Sequence, residues 1–156
     1  MSLKRRLYRW LLPAYRFAMR RLRGLTLGVR VMVFDDEGRV LLIEHSYTPG
    51  WHFPGGGVER GEALEESAIR ELEEEAGVRP AGRLTLLSAH DNRAVFPGDH
   101  VVLYRLDAWT LTPPTAKGEI LRCEWFDPRA LPEGATGGTR RRIAEMLDGT
   151  PPDLLW

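Results

Sequence analysis

Apolar and polar positions alternate where the body of the chain begins. LGVRVMVF (27–34) carries β-branched side chains at every second position, which predicts a half-buried strand. Asp35-Asp36-Glu37-Gly38 supplies a turn and RVLLIEH (39–45) a second strand, so the two together predict a hairpin. TPGWHFPGGG (48–57) is too rich in Gly and Pro for a regular element. Residues 62–76 read as a helix with Gly77 as its C-terminal cap. LTLLSAH (84–90), HVVLYRLDAWT (100–110) and EILRCEWF (119–126) predict further strands. TRRRIAEML (139–147) predicts a last helix before a Pro-rich tail. Strands before, between and after helices predict an α/β fold, a mixed sheet with helices packed on it.

Composition narrows this to one domain. A chain of 156 residues with 43% hydrophobic and 28% charged positions is ordinary for a soluble globular protein. A single cysteine, Cys123, excludes an internal disulfide framework, suits a reducing compartment and reads as a small buried apolar residue. The zero net charge hides an asymmetry. The first 25 residues hold eight basic side chains and no acid, leaving 14 basic against all 22 acidic residues in the remainder. That end predicts an amphipathic helix from about Ser2 to Arg23, interrupted near Pro13 and stopped by Gly24. Such a helix suits the chain's own acidic body, a second copy in a homodimer, or peripheral contact with a membrane surface, and eight charges imply no specific nucleic-acid partner. No run reaches the ~20 apolar residues that cross a bilayer, and the expected location is cytoplasmic. The expected organisation is therefore an extension (1–25), a catalytic-type domain (26–150) and a short tail (151–156).

RELEEEAG (70–77) changes the picture, because four glutamates in six positions repel one another. With ~100° per residue, Ala68, Ile69, Leu72 and Ala76 share a core-facing arc. Glu71, Glu74 and Glu75 fill an adjacent arc, while Glu66 and Glu73 fall on the solvated flank. Like charges at this spacing destabilise a helix by roughly 0.2–0.5 kcal/mol per pair. A hard divalent cation such as Mg2+ reverses that sign; a salt-bridged helix surface is the other reading. Gly55, Gly56 and Gly57 precede the helix and let backbone approach a ligand closely. Pyrophosphate carried on a divalent ion is the chemistry that uses both parts.

Residues 56–78, GGVERGEALEESAIRELEEEAGV, resemble the signature box of the Nudix hydrolases: Gly56, Glu62, Arg70, Glu71, Leu72, Glu74, Glu75, Gly77 and Val78 fill every fixed position. WHFPGGG and EWF extend the resemblance over roughly residues 26–148. It implies an α/β/α sandwich around a mixed sheet, and hydrolysis of a nucleoside diphosphate linked to another group. It also implies Mg2+ or Mn2+ held by Glu71, Glu74, Glu75 and the Gly55 carbonyl. Arg70 is expected to orient a neighbouring carboxylate and Glu62 to brace the loop against the helix. Glu119, in AKGEI, is the candidate general base, with Glu74 as the alternative. A nucleotide-binding regulatory domain without turnover is the other functional class.

Substrate is less legible. Family members specific for ADP-ribose or diadenosine polyphosphates carry a proline or tyrosine past the box, and Asp91–Val95 contains neither. Tyr47, Trp51 and Phe53 are candidates for an aromatic platform under a base. Arg30, on the face opposite Val29 and Val31, is a candidate phosphate contact, and Gly56 and Gly57 complete the expected substrate side.

Overall fold

The computed structural model describes residues 25–116 and 118–156. The expected basic helix, with its homodimer and membrane readings, lies outside the described residues. Among the described residues no helix is long and apolar enough to cross a membrane.

Among the described residues eight strands and two helices follow in order. β1 (Thr26–Val33) pairs parallel with β6 (Asp99–Leu106), whose other edge takes β5 (Thr85–Asp91) antiparallel. β2 (Val40–His45) lies between β3 (Trp51–His52) and β8 (Ile120–Phe126), both antiparallel to it. β4 (Val78–Pro80) and β7 (Trp109–Leu111) form a two-stranded ribbon. The helices are α1 (Leu64–Glu71), prolonged by a π-helical turn Leu72–Ala76, and α2 (Gly137–Asp148).

Two cores lie on opposite faces of the strands. Val29, Val31 and Val33 point to one face, against Ala68 and Leu72 of the first helix and Val102, Tyr104 and Leu106 of β6. Met32 and Phe34 point to the other face with Leu42, Trp51, Phe53 and Ile143 of α2. Period-two alternation in β1 thus feeds both helix layers, which gives the expected α/β/α sandwich with a mixed sheet.

Several expectations change. The turn at Asp35 forms, with Asp35 Oδ1 accepting the Glu37 and Arg39 N–H groups at 3.1 and 2.8 Å. It does not close a hairpin, because β1 and β2 meet only at the Phe34–Val40 bridge and then enter different sheets. β1 has no free edge for β2. One edge is taken by β6, and the other by the glycine loop, where Val29 N–H donates to the Gly56 carbonyl and Val31 N–H to that of Pro54, each at 2.9 Å. The strand expected over 100–110 breaks at Asp107–Ala108 into β6 and β7, and β4 was hidden in the helix exit. Cys123 is exposed on β8 rather than buried. The tail packs back on the body: Leu154 and Trp156 bond to the backbone of Asp91 at 2.9 and 3.0 Å, and the Trp156 ring packs edge-on against Phe53 and His90.

Glu66 lies on the solvated flank, as expected, and from there also caps the first helix. Its Oε2 accepts the Ala63 N–H at 2.9 Å, one half of a capping box, and Ala63 has the extended backbone of an N-cap but no oxygen to return the bond. Ala63→Ser is expected to complete the box and stabilise the protein by about 1 kcal/mol. Thermal unfolding should register this as a rise of roughly 2–4 °C.

Candidate active site

The glycine loop and the glutamate helix meet along β1. Gly55 has φ +138, and a Cβ there would lie 2.2 Å from the Val29 carbonyl oxygen. Only glycine lets the loop lie this close to the strand. A Cβ at Gly56 would stand 2.5 Å from Glu71 Oε1, so the bare backbone makes room for that carboxylate. The Gly57 carbonyl accepts from Ser67 Oγ and Arg70 Nη2, each at 3.3 Å.

The π-helical turn decides where the acids point. One extra residue in the turn after Glu71 shifts the phase that a regular helix would keep. Glu75 swings inward to 5% exposure, and its Oε2 accepts the Gly55 N–H at 2.8 Å. Glu74 stays on the surface, its side chain 45% exposed and 3.5 Å from Arg70 Nη1. Its backbone carbonyl accepts the N–H groups of Thr115 and Ala116 at 3.1 and 2.8 Å, tethering the loop that leads to Glu119. Glu73 pairs outward with Arg79 at 2.8 Å. The arc expected to hold Glu71, Glu74 and Glu75 together is therefore split, with Glu75 alone deeply buried.

Arg70 is the hub of the arrangement. It grips Glu62 with Nε and Nη2 at 2.8 and 3.1 Å and reaches Glu71 Oε1 with Nη1 at 2.7 Å. Its hydrogen bonds hold the Glu62 carboxyl down to about 2. Burial acts the other way deeper in the cleft. It raises Glu75 to about 7 and Glu71 above the usual carboxylate range, while it lowers His45 to about 4. Arg30 lies on the face opposite the valines, as expected, and its guanidinium donates to the carbonyls of Phe53 and Gly55.

Of the three aromatic candidates, Tyr47 is 46% exposed, whereas Trp51 and Phe53 are at 5% and 0% in the α2-side core. Trp51 is occupied by Phe126 on its edge and Arg122 over its ring, so neither buried ring offers a free face to a base. The structure brings two residues to the cleft that sequence reading passed over. His45 and His52 flank one another, with ring centroids 5.6 Å apart, and His45 lies 4.9 Å from Tyr47. His45 ends a buried strand and so had a signal, but four scattered histidines without ligand spacing concealed it. Glu119 is exposed, and its charge, with that of Glu71, helps to raise Glu75.

Among the described residues no three His, Cys, Asp or Glu side chains are gathered as a finished ion cage. The donor set still fits a hard divalent ion. Carboxylates at Glu71 and Glu75 are packed where burial disfavours their charge, Gly56 leaves space beside Glu71, and Glu74 borders them. The Gly55 carbonyl, the other expected ligand, is partnered by Arg30 and retains a second lone pair.

Comparison with known proteins shows the family. Residues 24–147 match the NUDIX domain. A Bacillus subtilis protein provisionally named an 8-oxo-dGTP diphosphatase is 41% identical over 125 residues, covering 80% of this chain and 81% of that one. The human nucleoside diphosphate-linked moiety X motif 6 protein is 34% identical over 127 residues, which are 77% of this chain. This chain spans only 40% of the human protein's length. Among solved structures, a MutT NUDIX hydrolase from Burkholderia pseudomallei superposes with a TM-score of 0.67 at 29% identity, over 76% of this chain and 95% of that one.

Proposed function

The chain belongs to the Nudix family, and from that premise we propose that it hydrolyses a phosphoanhydride bond in a nucleoside diphosphate or triphosphate derivative with Mg2+ or Mn2+. The observation that carries this reading is the seating of Glu71 and Glu75 on the glycine loop, one against Gly56 and the other on the Gly55 N–H. Glu71, Glu74 and Glu75 would hold the ion, with the Gly55 carbonyl beside them. When bound, the ion would neutralise phosphate oxygens and acidify a water.

The chain's own residues then divide the work. Arg70 fixes Glu71 and, through Glu62 and the Gly57 carbonyl, the loop that faces it. Arg30 offers a guanidinium to a phosphate, and Tyr47 offers an exposed ring to a base. Water attacks phosphorus in line, the anhydride P–O bond breaks, and its electron pair leaves on the departing phosphate oxygen. Glu119 takes the water's proton; Glu74 is the second candidate for that role.

The test is a turnover screen over nucleoside triphosphates, 8-oxo-dGTP, sugar nucleotides, dinucleotides and capped RNA, each with Mg2+, Mn2+ or EDTA. The name of the Bacillus relative puts the oxidised purine triphosphate first in that series. Metal-dependent release of a nucleoside monophosphate or a phosphomonoester supports the reading. Tight nucleotide binding without turnover would replace it with a regulatory binding domain.

A pH dependence follows from Glu75. Its carboxyl is raised from 4.5 to about 7 by burial, so the neutral form is the one the metal-free fold favours. The associated stability is fully present below about pH 4.5 and is lost as pH rises through about 7, by an amount on the order of 3 kcal/mol. In EDTA, the wild-type unfolding midpoint should therefore fall between pH 5.5 and 8 relative to that of Glu75→Gln. Mg2+ should raise the wild-type midpoint more at pH 8 than at pH 5.5. A difference between the two proteins that does not change with pH would refute this assignment.

A further inference from the structure

His45 is 4% exposed at the end of β2, and its Nδ1 has no hydrogen-bond partner among the described residues. That atom lies 3.6 Å from Glu75 Oε1. An orphaned polar atom in a buried site is destabilising, which asks for an explanation. The local backbone supplies one. The β2–β8 ladder shifts register between Glu44 and His45, from the Glu44–Arg122 pair to the His45–Ile120 pair, so β8 carries an extra residue opposite this point. Bulges of this kind re-aim a side chain beside a site. Here the ring is aimed at a carboxylate whose other oxygen, Oε2, already accepts the Gly55 N–H at 2.8 Å. Tyr47 and His52 pack about the ring at 4.9 and 5.6 Å between centroids.

We infer that His45 is a positioning residue whose Nδ1–H donates to Glu75 Oε1, so that Gly55 and His45 between them fix both oxygens of this ligand. The separation is about 0.6 Å longer than an ordinary N–H···O bond. Hydrogen bonds around reacting groups tighten in this way when a site fills. The burial of the ring points its effect at Glu75 and not at a substrate. This inference rests on the proposed role of Glu75 as a metal ligand.

The direct test measures Mn2+ alone, without nucleotide, by the loss of the free-ion EPR signal in the full chain. His45→Asn keeps an N–H near the Nδ1 position and should stay within about threefold of wild type in affinity. His45→Leu fills the space without a donor and should weaken Mn2+ about 10–100-fold, as loss of a ligand's orienting partner does elsewhere. In turnover, the leucine variant should recover kcat as Mn2+ is raised, with KM for the nucleotide unchanged. Equal Mn2+ affinities for the two variants would overturn the assignment. A long-range 1H–15N spectrum of the wild-type protein tests it without any variant: His45 should carry its proton on Nδ1, and a proton on Nε2 would overturn it. Wild-type protein that takes up no Mn2+ defeats both this inference and the metal-dependent reading. The expected variant order without hydrolysis of any nucleotide would defeat only the proposed reaction.

Discussion

Replacement of Glu75 by glutamine is expected to lower kcat/KM about 10³-fold, a loss of roughly 4 kcal/mol in transition-state stabilisation. The magnitude follows from the place this side chain occupies. It is the only one of the box acids buried to 5%, with one oxygen on the Gly55 N–H and the other facing His45. Glutamine retains an acceptor for Gly55 but no negative charge for an ion. The fold should survive, because burial already disfavours the charged form of Glu75. An unfolding midpoint equal to or above that of wild type in EDTA would show that the loss is chemical. Glu73→Gln is the internal control. Its carboxylate points outward to Arg79, an exposed pair that water and salt screen, so it contributes little. Turnover within about twofold of wild type is expected there. Equal losses in the two variants, measured with the best substrate from the screen, would mean that the π-helical turn does not sort the acids as described.

Gly55→Ala is expected to destabilise the protein by about 3–5 kcal/mol, a fall of roughly 10 °C or more in Tm. Two effects combine. The residue sits at φ +138, where a side chain is strained, and its Cβ would meet backbone and not a flexible side chain. The Val29 carbonyl oxygen and carbon would be 2.2 and 2.9 Å away and Arg30 Cα 3.0 Å away. Relief would require the glycine loop to lift off β1, breaking the bonds from Val29 and Val31 that hold it there. Gly57→Ala, two residues on, meets nothing within 4 Å among the described residues and should stay within about 1 kcal/mol of wild type. Thermal or denaturant unfolding of the two variants decides the point, and similar midpoints would refute the packing argument.

These two contrasts also mark where local reading succeeded. Apolar periodicity located β1, β2, β5, β6, β8 and both helices to within a few residues, because alternation and helical spacing are properties of consecutive positions. It could not foresee pairing partners. The Asp35 turn formed as its residues dictate, yet the strands on either side of it entered different sheets once the glycine loop and β6 had claimed the edges of β1. Trp51 and Phe53 show the same limit: both flank the glycine loop, and only the arrival of α2 and the tail turned them into core.

The amino-acid order by itself determined the two-faced strand β1, the glycine approach to it, and the supply of acids that follows within one helix length, because each depends on neighbours along the chain. Tertiary structure decided which acid goes inside. The π-helical turn, closed by Gly77 and held by the Thr115–Ala116 loop on the Glu74 carbonyl, rotates Glu75 into the cleft and leaves Glu74 at its rim. The histidine that meets Glu75 comes from a strand thirty residues away. Periodicity assumes a constant helical phase and knows nothing of that distant strand, so the pairing of Glu75 with His45 arises only when the sheets and the helix pack together.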